Sequence, residues 1–152
     1  MQKYLKTKPL RSKMAKDCIF CKIVKGEIPC NQIYQDKDTI AFLDISPATP
    51  RGGHTLVISK KHYETLIDVP DKELEAMTRT VKKISKALLN LYPGLNLVQN
   101  NKKVAGQIVP HIHFHLIPRY EGDNLKIGYW STYKYKEREE LEIAERIKTL
   151  LK

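Results

Sequence analysis

Three of the chain's five histidines stand at alternate positions, in Pro110-His111-Ile112-His113-Phe114-His115-Leu116-Ile117-Pro118. In extended chain, successive side chains point to opposite faces. His111, His113 and His115 therefore share one face, and Ile112, Phe114 and Leu116 share the other. The second face is apolar and suits a core. The first has no packing rationale and reads as chemistry. Two chemistries use such a row. One is a three-histidine metal site. The other is nucleophilic and acid–base catalysis, in which one imidazole attacks and its neighbours fix its tautomer. Asn100 and Gln107 flank the row with amides able to donate to a phosphate, and Gly106 lets a ligand approach the backbone. A second group lies upstream. Cys18-x-x-Cys21 has metal-type spacing but lacks the βαβ setting of a redox motif. A closed tetrahedral site needs two more ligands, and His62 and His111 are the candidates. The alternative is two small buried cysteines and a surface histidine. Cys30 has no partner in this pattern.

These residues need a scaffold. Cys18 to Val24 reads as a short apolar turn or helix ended by Gly26 and Pro29. Ile33–Gln35 and Thr39–Asp44 read as two strands joined by a turn at Gln35–Asp38. Ser46 to Gly53 is a loop, and Thr55–Ser59 a third strand. Leu74, Met77, Val81, Ile84 and Leu88 recur at steps of three and four, which predicts a central helix over 70–91 with this stripe in the core. Pro70 opens it, and Pro93-Gly94 lies just past its end. Leu95–Gln99 and Ile112–Ile117 are strands four and five, the latter bounded by Pro110 and Pro118. A C-terminal helix over 137–151 places Leu141, Ala144, Ile147 and Leu151 on one face. The order, with hairpin-length links, predicts an α+β fold with a mostly antiparallel sheet.

Length and composition bound the rest. A chain of 152 residues, 41% apolar and 29% charged, suits one globular domain with a real core. Mean hydropathy is −0.45, and no apolar run approaches the roughly 20 residues of a membrane span. Three cysteines argue against a disulfide scaffold and for a reducing cytoplasm. The net charge of +10 looks like a nucleic-acid signal, but residues 1–16 carry six basic side chains and no acid. Taking these six from +10 leaves +4 on 17–152. The excess is thus largely a basic N-terminal extension, suited to nonspecific anionic contacts. Met14-Ala15-Lys16 inside it reads like a second translation start.

With these residues in hand, a resemblance becomes specific. Ala105-Gly106-Gln107-Ile108-Val109-Pro110-His111-Ile112-His113-Phe114-His115-Leu116-Ile117 resembles the signature of the histidine triad (HIT) family, His-φ-His-φ-His-φ-φ with φ apolar. Asp17-Cys18-Ile19-Phe20-Cys21-Lys22-Ile23, Ala41-Phe42-Leu43-Asp44-Ile45-Ser46-Pro47 and Gly53-His54-Thr55-Leu56-Val57-Ile58 match in order. The resemblance, closest to the Hint-like and bacterial branch, runs from about Asp17 to Arg119. It implies a five-stranded antiparallel sheet with a central and a C-terminal helix over 17–152. It also implies a nucleotide hydrolase acting at an α-phosphate, with His113 as nucleophile and a nucleotidyl-histidine intermediate. His115 and His54 would line the phosphate side. Asn100 and the Gly106, Gln107, Ile108 segment would hold the phosphate, and Asp44 the ribose. Phe20, Ile23, Phe42 and Ile45 would form the slot for a purine base. Bacterial members with this cysteine pair bind structural zinc, which implies Cys18, Cys21, His62 and His111 as ligands and no cofactor for the chemistry. A homodimer is implied, with Tyr129 and Trp130 at the contact or reaching the partner's active site.

The resemblance has departures. Ile108 stands where the Hint-like branch has serine and the fragile-histidine-triad branch threonine, so a hydroxyl is missing. Pro110 replaces a commonly larger side chain. The expected substrates are adenosine phosphoramidates or related nucleoside monophosphate conjugates, since no extra domain serves a large second ligand. Dinucleoside polyphosphates come next, then a noncatalytic nucleotide- or RNA-binding role.

Overall fold

The computed structural model describes residues 17–128 and 131–152. The basic extension 1–16 and the expectations for Tyr129 and Trp130 lie outside them. A short helix α1 (Ile19–Val24) precedes strands β1 (Gln32–Gln35), β2 (Thr39–Leu43) and β3 (Thr55–Ser59). The long helix α2 (Asp71–Leu91) follows, then β4 (Gly94–Val98), β5 (His113–Arg119) and α3 (Glu139–Thr149). All five strands pair antiparallel in the order β1-β2-β3-β5-β4, which is the α+β sheet expected from the residue pattern. No helix among the described residues is long and apolar enough to cross a membrane.

The period of two sorts the side chains onto two faces. Ala41, Leu43, Val57 and Leu116 pack against Val81, Ile84 and Leu88 of α2 and Ile143, Ala144 and Ile147 of α3. The alternate residues Ile40, Phe42, Leu56 and Ile58 pack under Cys18, Phe20 and Cys21 from the α1 segment. The α2 stripe is therefore core, as its spacing predicts. Asp36 fixes the first hairpin by accepting the backbone N–H groups of Asp38 (2.9 Å) and Thr39 (2.7 Å). The Thr39 hydroxyl meets that of Thr80 at 2.8 Å and ties the hairpin to α2.

Most strand and helix ends shift by one or two residues from the sequence reading, and two elements differ in ways that matter. Strand β5 begins at His113 and runs through Pro118 to Arg119. Before it, the Ile112 N–H donates to the Tyr63 carbonyl (2.7 Å), so the chain at His111 has left the ladder. Pro118 is tolerated because the β3 pairing ends at Thr55 opposite Leu116, and beyond it β5 has a neighbour only in β4. In α3, Leu141 is exposed and Ile143 is buried instead. The helix starts at Glu139 rather than 137, and its buried face follows the sheet it packs on.

The loop between β2 and β3 is held from outside. Gly52 has φ +69°, and a Cβ there would stand 2.6 Å from Tyr135 Cε1 and 2.8 Å from Ile143 Cδ1. Gly52→Ala combines left-handed strain with overpacking, an expected loss of roughly 2–4 kcal/mol. Urea unfolding checks this, and an unchanged midpoint would refute the packing account.

Candidate active site

On the α1 face, a cavity of about 690 Å³ is lined by Phe20, Ile23, Phe42, Asp44, Ile45, Asn100, Gly106, Ile108, His113 and His115, among others. The elements explain why these residues meet. β3 and β5 pair Leu56 with His115 and Ile58 with His113, so the imidazoles lie on the face that α1 covers. Phe20 stands edge-on to both His113 (5.2 Å between ring centroids) and Phe42 (5.8 Å). The β4–β5 connection brings in Asn100 and Gly106. Gly106 has φ +88°, and a Cβ there would stand 3.5 Å from the Asn100 amide nitrogen. A second hollow of similar volume, about 670 Å³, lies on the outer face of α2 among Arg79, Lys82, Lys83 and Lys86. It is a shallow solvated helix face without a reactive group.

The hydrogen bonds fix the histidine tautomers. His113 Nδ1 lies 2.7 Å from the His111 carbonyl, which only accepts. Nδ1 therefore carries the proton, and Nε2 holds the lone pair on a ring that lines the cavity. The Ala48 N–H donates to His54 Nδ1 (3.2 Å), so His54 carries its proton on Nε2. That proton faces His115 Nδ1 at 2.9 Å. His115 in turn carries its own proton on Nε2. The site thus presents one imidazole lone pair and, on a ring 4.8 Å away, one imidazole N–H. Burial holds His113 below the ordinary imidazole range, so the ring is neutral at pH 7. Asp44 lies beside the pair, its Oδ2 3.9 Å from His54 Nδ1. Its carboxyl is raised by burial, opposed by the Ser46 N–H and reinforced by Glu140.

Behind Phe20 sits the second cluster. Cys18, Cys21, His62 and His111 bring one ligand atom each within 4.8 Å of one another. His111 Nδ1 lies 3.5 Å from Cys18 Sγ, 3.6 Å from Cys21 Sγ and 3.3 Å from His62 Nδ1. These are about the edge lengths of a tetrahedron with metal–sulfur and metal–nitrogen bonds near 2.3 and 2.0 Å. His111 Nε2 donates to the Ser59 carbonyl (2.8 Å), which turns the Nδ1 lone pair inward. Burial, with the Cys18 thiol beside it, pushes the Cys21 thiol up to about 11. The donor set fits a thiophilic divalent ion.

Comparison with known proteins decides the family. The HIT domain family matches residues 25–122. The chain belongs to the histidine triad family. It is 54% identical over 107 residues to an uncharacterized HIT-like protein of Methanocaldococcus jannaschii, covering 70% of this chain and 81% of that one. It is 39% identical over 136 residues to an adenosine 5′-monophosphoramidase of Schizosaccharomyces pombe, covering 89% and 98%. Among solved structures, a zinc-bound histidine triad family protein from Mycobacterium smegmatis superposes with a TM-score of 0.78 at 34% identity, covering 90% and 94%.

Set against the sequence reading, this HIT domain departs most clearly at Gln107, at His54 and in the wall around Cys30. Gln107 does not offer its side chain to the cavity. Its Oε1 accepts the Lys102 N–H (2.7 Å) and its Nε2 donates to the Glu64 carbonyl (2.6 Å), which folds the loop carrying Gly106 and Ile108. His54 is fully buried and does not line the cavity either. Its Nε2 instead meets His115 Nδ1, where it can orient that ring. Cys30, unremarkable in sequence, lines the cavity together with Ile28 and Pro29. Nothing in the spacing signals this, because the turn after α1 sets it.

The buried histidine pair has a stability consequence. Burial first, then His115, holds His54 down at about 3, and burial and then His113 hold His115 at about 4. Both lie below the 6.5 of a free imidazole. Below pH 6.5 the unfolded chain takes up protons that the folded chain refuses. Stability is therefore full above pH 6.5 and falls with pH beneath it, by up to about 1.4 kcal/mol per unit for each histidine. Urea titrations from about pH 7 to about pH 4.5 should show this slope, and it should be shallower in His54→Gln. A slope identical in the variant would exclude His54 as a source.

Proposed function

We propose that the chain hydrolyses nucleoside 5′-phosphoramidates, adenosine first, and related nucleoside monophosphate conjugates at the α-phosphate. The observation that carries this reading is the locked tautomer of His113, with its Nδ1–H on the His111 carbonyl and its Nε2 lone pair on a ring lining the cavity. In the first step His113 Nε2 bonds to phosphorus and the phosphorus–nitrogen bond to the leaving amine breaks. The amine keeps the electron pair and takes a proton from water. The positive charge that develops on the ring is met at Nδ1–H by the His111 carbonyl. His115 Nε2–H and the Asn100 amide stabilise the charge on the phosphoryl oxygens. In the second step water bonds to phosphorus, the bond to Nε2 breaks, and a proton returns to solvent as the monophosphate leaves. Two smaller barriers replace one large one. Asp44 suits the ribose hydroxyls as an acceptor. Phe20, Ile23, Phe42 and Ile45 give an apolar slot for the base.

Cys18, Cys21, His62 and His111 are proposed to hold one structural zinc ion, for which a zinc-bound relative gives support. Four protein ligands fill a tetrahedron, so the ion supplies rigidity rather than an open coordination position. A homodimer is consistent with β4 standing at the sheet edge with Leu97 exposed. A cytoplasmic setting, and anionic contacts of the basic extension 1–16, complete the reading. The test is AMP release from adenosine 5′-phosphoramidate by the purified full chain. Acid quenching during turnover should trap a nucleotide on His113. A folded chain that releases no AMP overturns the assignment.

A further inference from the structure

Exposed aliphatic side chains line the cavity or adjoin its wall. Ile45 is 76%, Ile108 92% and Val104 100% exposed. Singly, an exposed aliphatic residue is ordinary. Here Ile45 and Ile108 both line the cavity that holds His113 and His115, and Val104 adjoins Ala105, which lines it too. Two polar groups of the same loop are engaged elsewhere. The Gln107 amide bonds Lys102 and Glu64, and the Lys102 ammonium is held by Glu64 at 2.7 Å. The residues of this lip that line the cavity beyond Asn100 and Gly106 are Ala105, Ile108 and Val109, all apolar.

In-line displacement places the leaving group opposite the attacking nitrogen. The attack comes from His113 in the floor, so the leaving group points outward, to the lip. We propose that the leaving group this site selects is an amine bearing an apolar substituent, which packs on Ile108 and Val104. The inference rests on the hydrolase reading above and narrows its substrate class. A charged leaving group, such as a second nucleotide or a sulfate, loses water against Ile108 and finds no hydroxyl there in exchange. An alkyl or aryl amine loses nothing and covers apolar surface. The bonds made and broken are those of the two steps above, with the apolar amine as the first product.

The experiment compares kcat/KM for three adenosine 5′-phosphoramidates: unsubstituted, N-(2-hydroxyethyl) and N-hexyl. The wild-type full chain should favour N-hexyl over N-(2-hydroxyethyl) by about tenfold or more. Ile108→Ser should bring that ratio close to one, whatever its effect on the absolute rates, and Val104→Ser should lower it by a smaller factor. Equal rates in the wild type, or a preference that survives in Ile108→Ser, overturn the proposal. If none of the three is turned over, the hydrolase reading fails. The lip is then read from calorimetric affinities of the same compounds. Tighter N-hexyl binding that is lost in Ile108→Ser supports the apolar lip, and equal affinities refute it.

Discussion

His113→Ala is expected to lower AMP release from adenosine 5′-phosphoramidate by at least about 10³-fold while AMP affinity changes only a few-fold. The two effects separate because the ring's parts do different work. In the proposed mechanism Nε2 makes the bond to phosphorus, and no neighbouring group replaces it. The His115 proton is on Nε2 and its Nδ1 accepts from His54, so that ring has no lone pair to bring to phosphorus. In the same reading binding is spread over Phe20, Phe42, Asp44, Asn100 and the loop at Gly106, all of which line the cavity. His113→Asn is the sharper variant. Its amide can still donate to the His111 carbonyl, so local geometry is kept while the nucleophile is gone. Both variants should fold with the wild-type circular dichroism and fail to trap nucleotide on acid quenching. Turnover within about tenfold of wild type in either variant would remove covalent catalysis by His113.

How far the sequence reveals this site depends on the range of the interaction. Alternation places His111, His113 and His115 on one face because period two is a local property of the chain, and the structure keeps His113 and His115 on that face while His111 precedes the strand. The stripe at Met77, Val81, Ile84 and Leu88 is legible for the same reason. Leu141 misleads because a short helix offers two plausible faces, and only the sheet beneath α3 selects Ile143. The tertiary bonds are not legible. Gln107 and Asn100 carry the same amide, yet Gln107 is captured by Glu64, 43 residues away in sequence. His54 resembles a phosphate ligand until the Ala48 N–H and His115 are seen to enclose it. Cys30 enters the wall through a turn whose geometry no spacing rule describes. Pattern therefore identifies the chemistry, and long-range hydrogen bonds assign which residue performs it and which one aims it.

That division has its largest expected consequence at the cysteine–histidine quartet. Cys21→Ser is expected to bind well under one zinc per chain, against about one for the wild type, and to melt about 10 °C or more lower. It should also bind AMP about tenfold more weakly, although Cys21 does not line the cavity. Two links carry the effect. Phe20 lies between the two cysteines in sequence and supplies cavity wall, so releasing Cys21 frees that wall. The carbonyl that holds His113 Nδ1 belongs to His111, itself a member of the quartet, so loosening His111 loosens the nucleophile's tautomer lock. His62→Ala removes a proposed ligand that does not line the cavity. It should reproduce the loss of zinc and a smaller part of the loss of AMP affinity. The coupling is reciprocal by thermodynamic necessity: AMP must raise the affinity for zinc by the factor by which zinc raises the affinity for AMP. Competition with a zinc-sensitive dye, with and without AMP, measures that factor without any turnover. A factor of one would reduce the quartet to a remote clamp, and would require Phe20 and His113 to be held by the β3 and β5 packing alone.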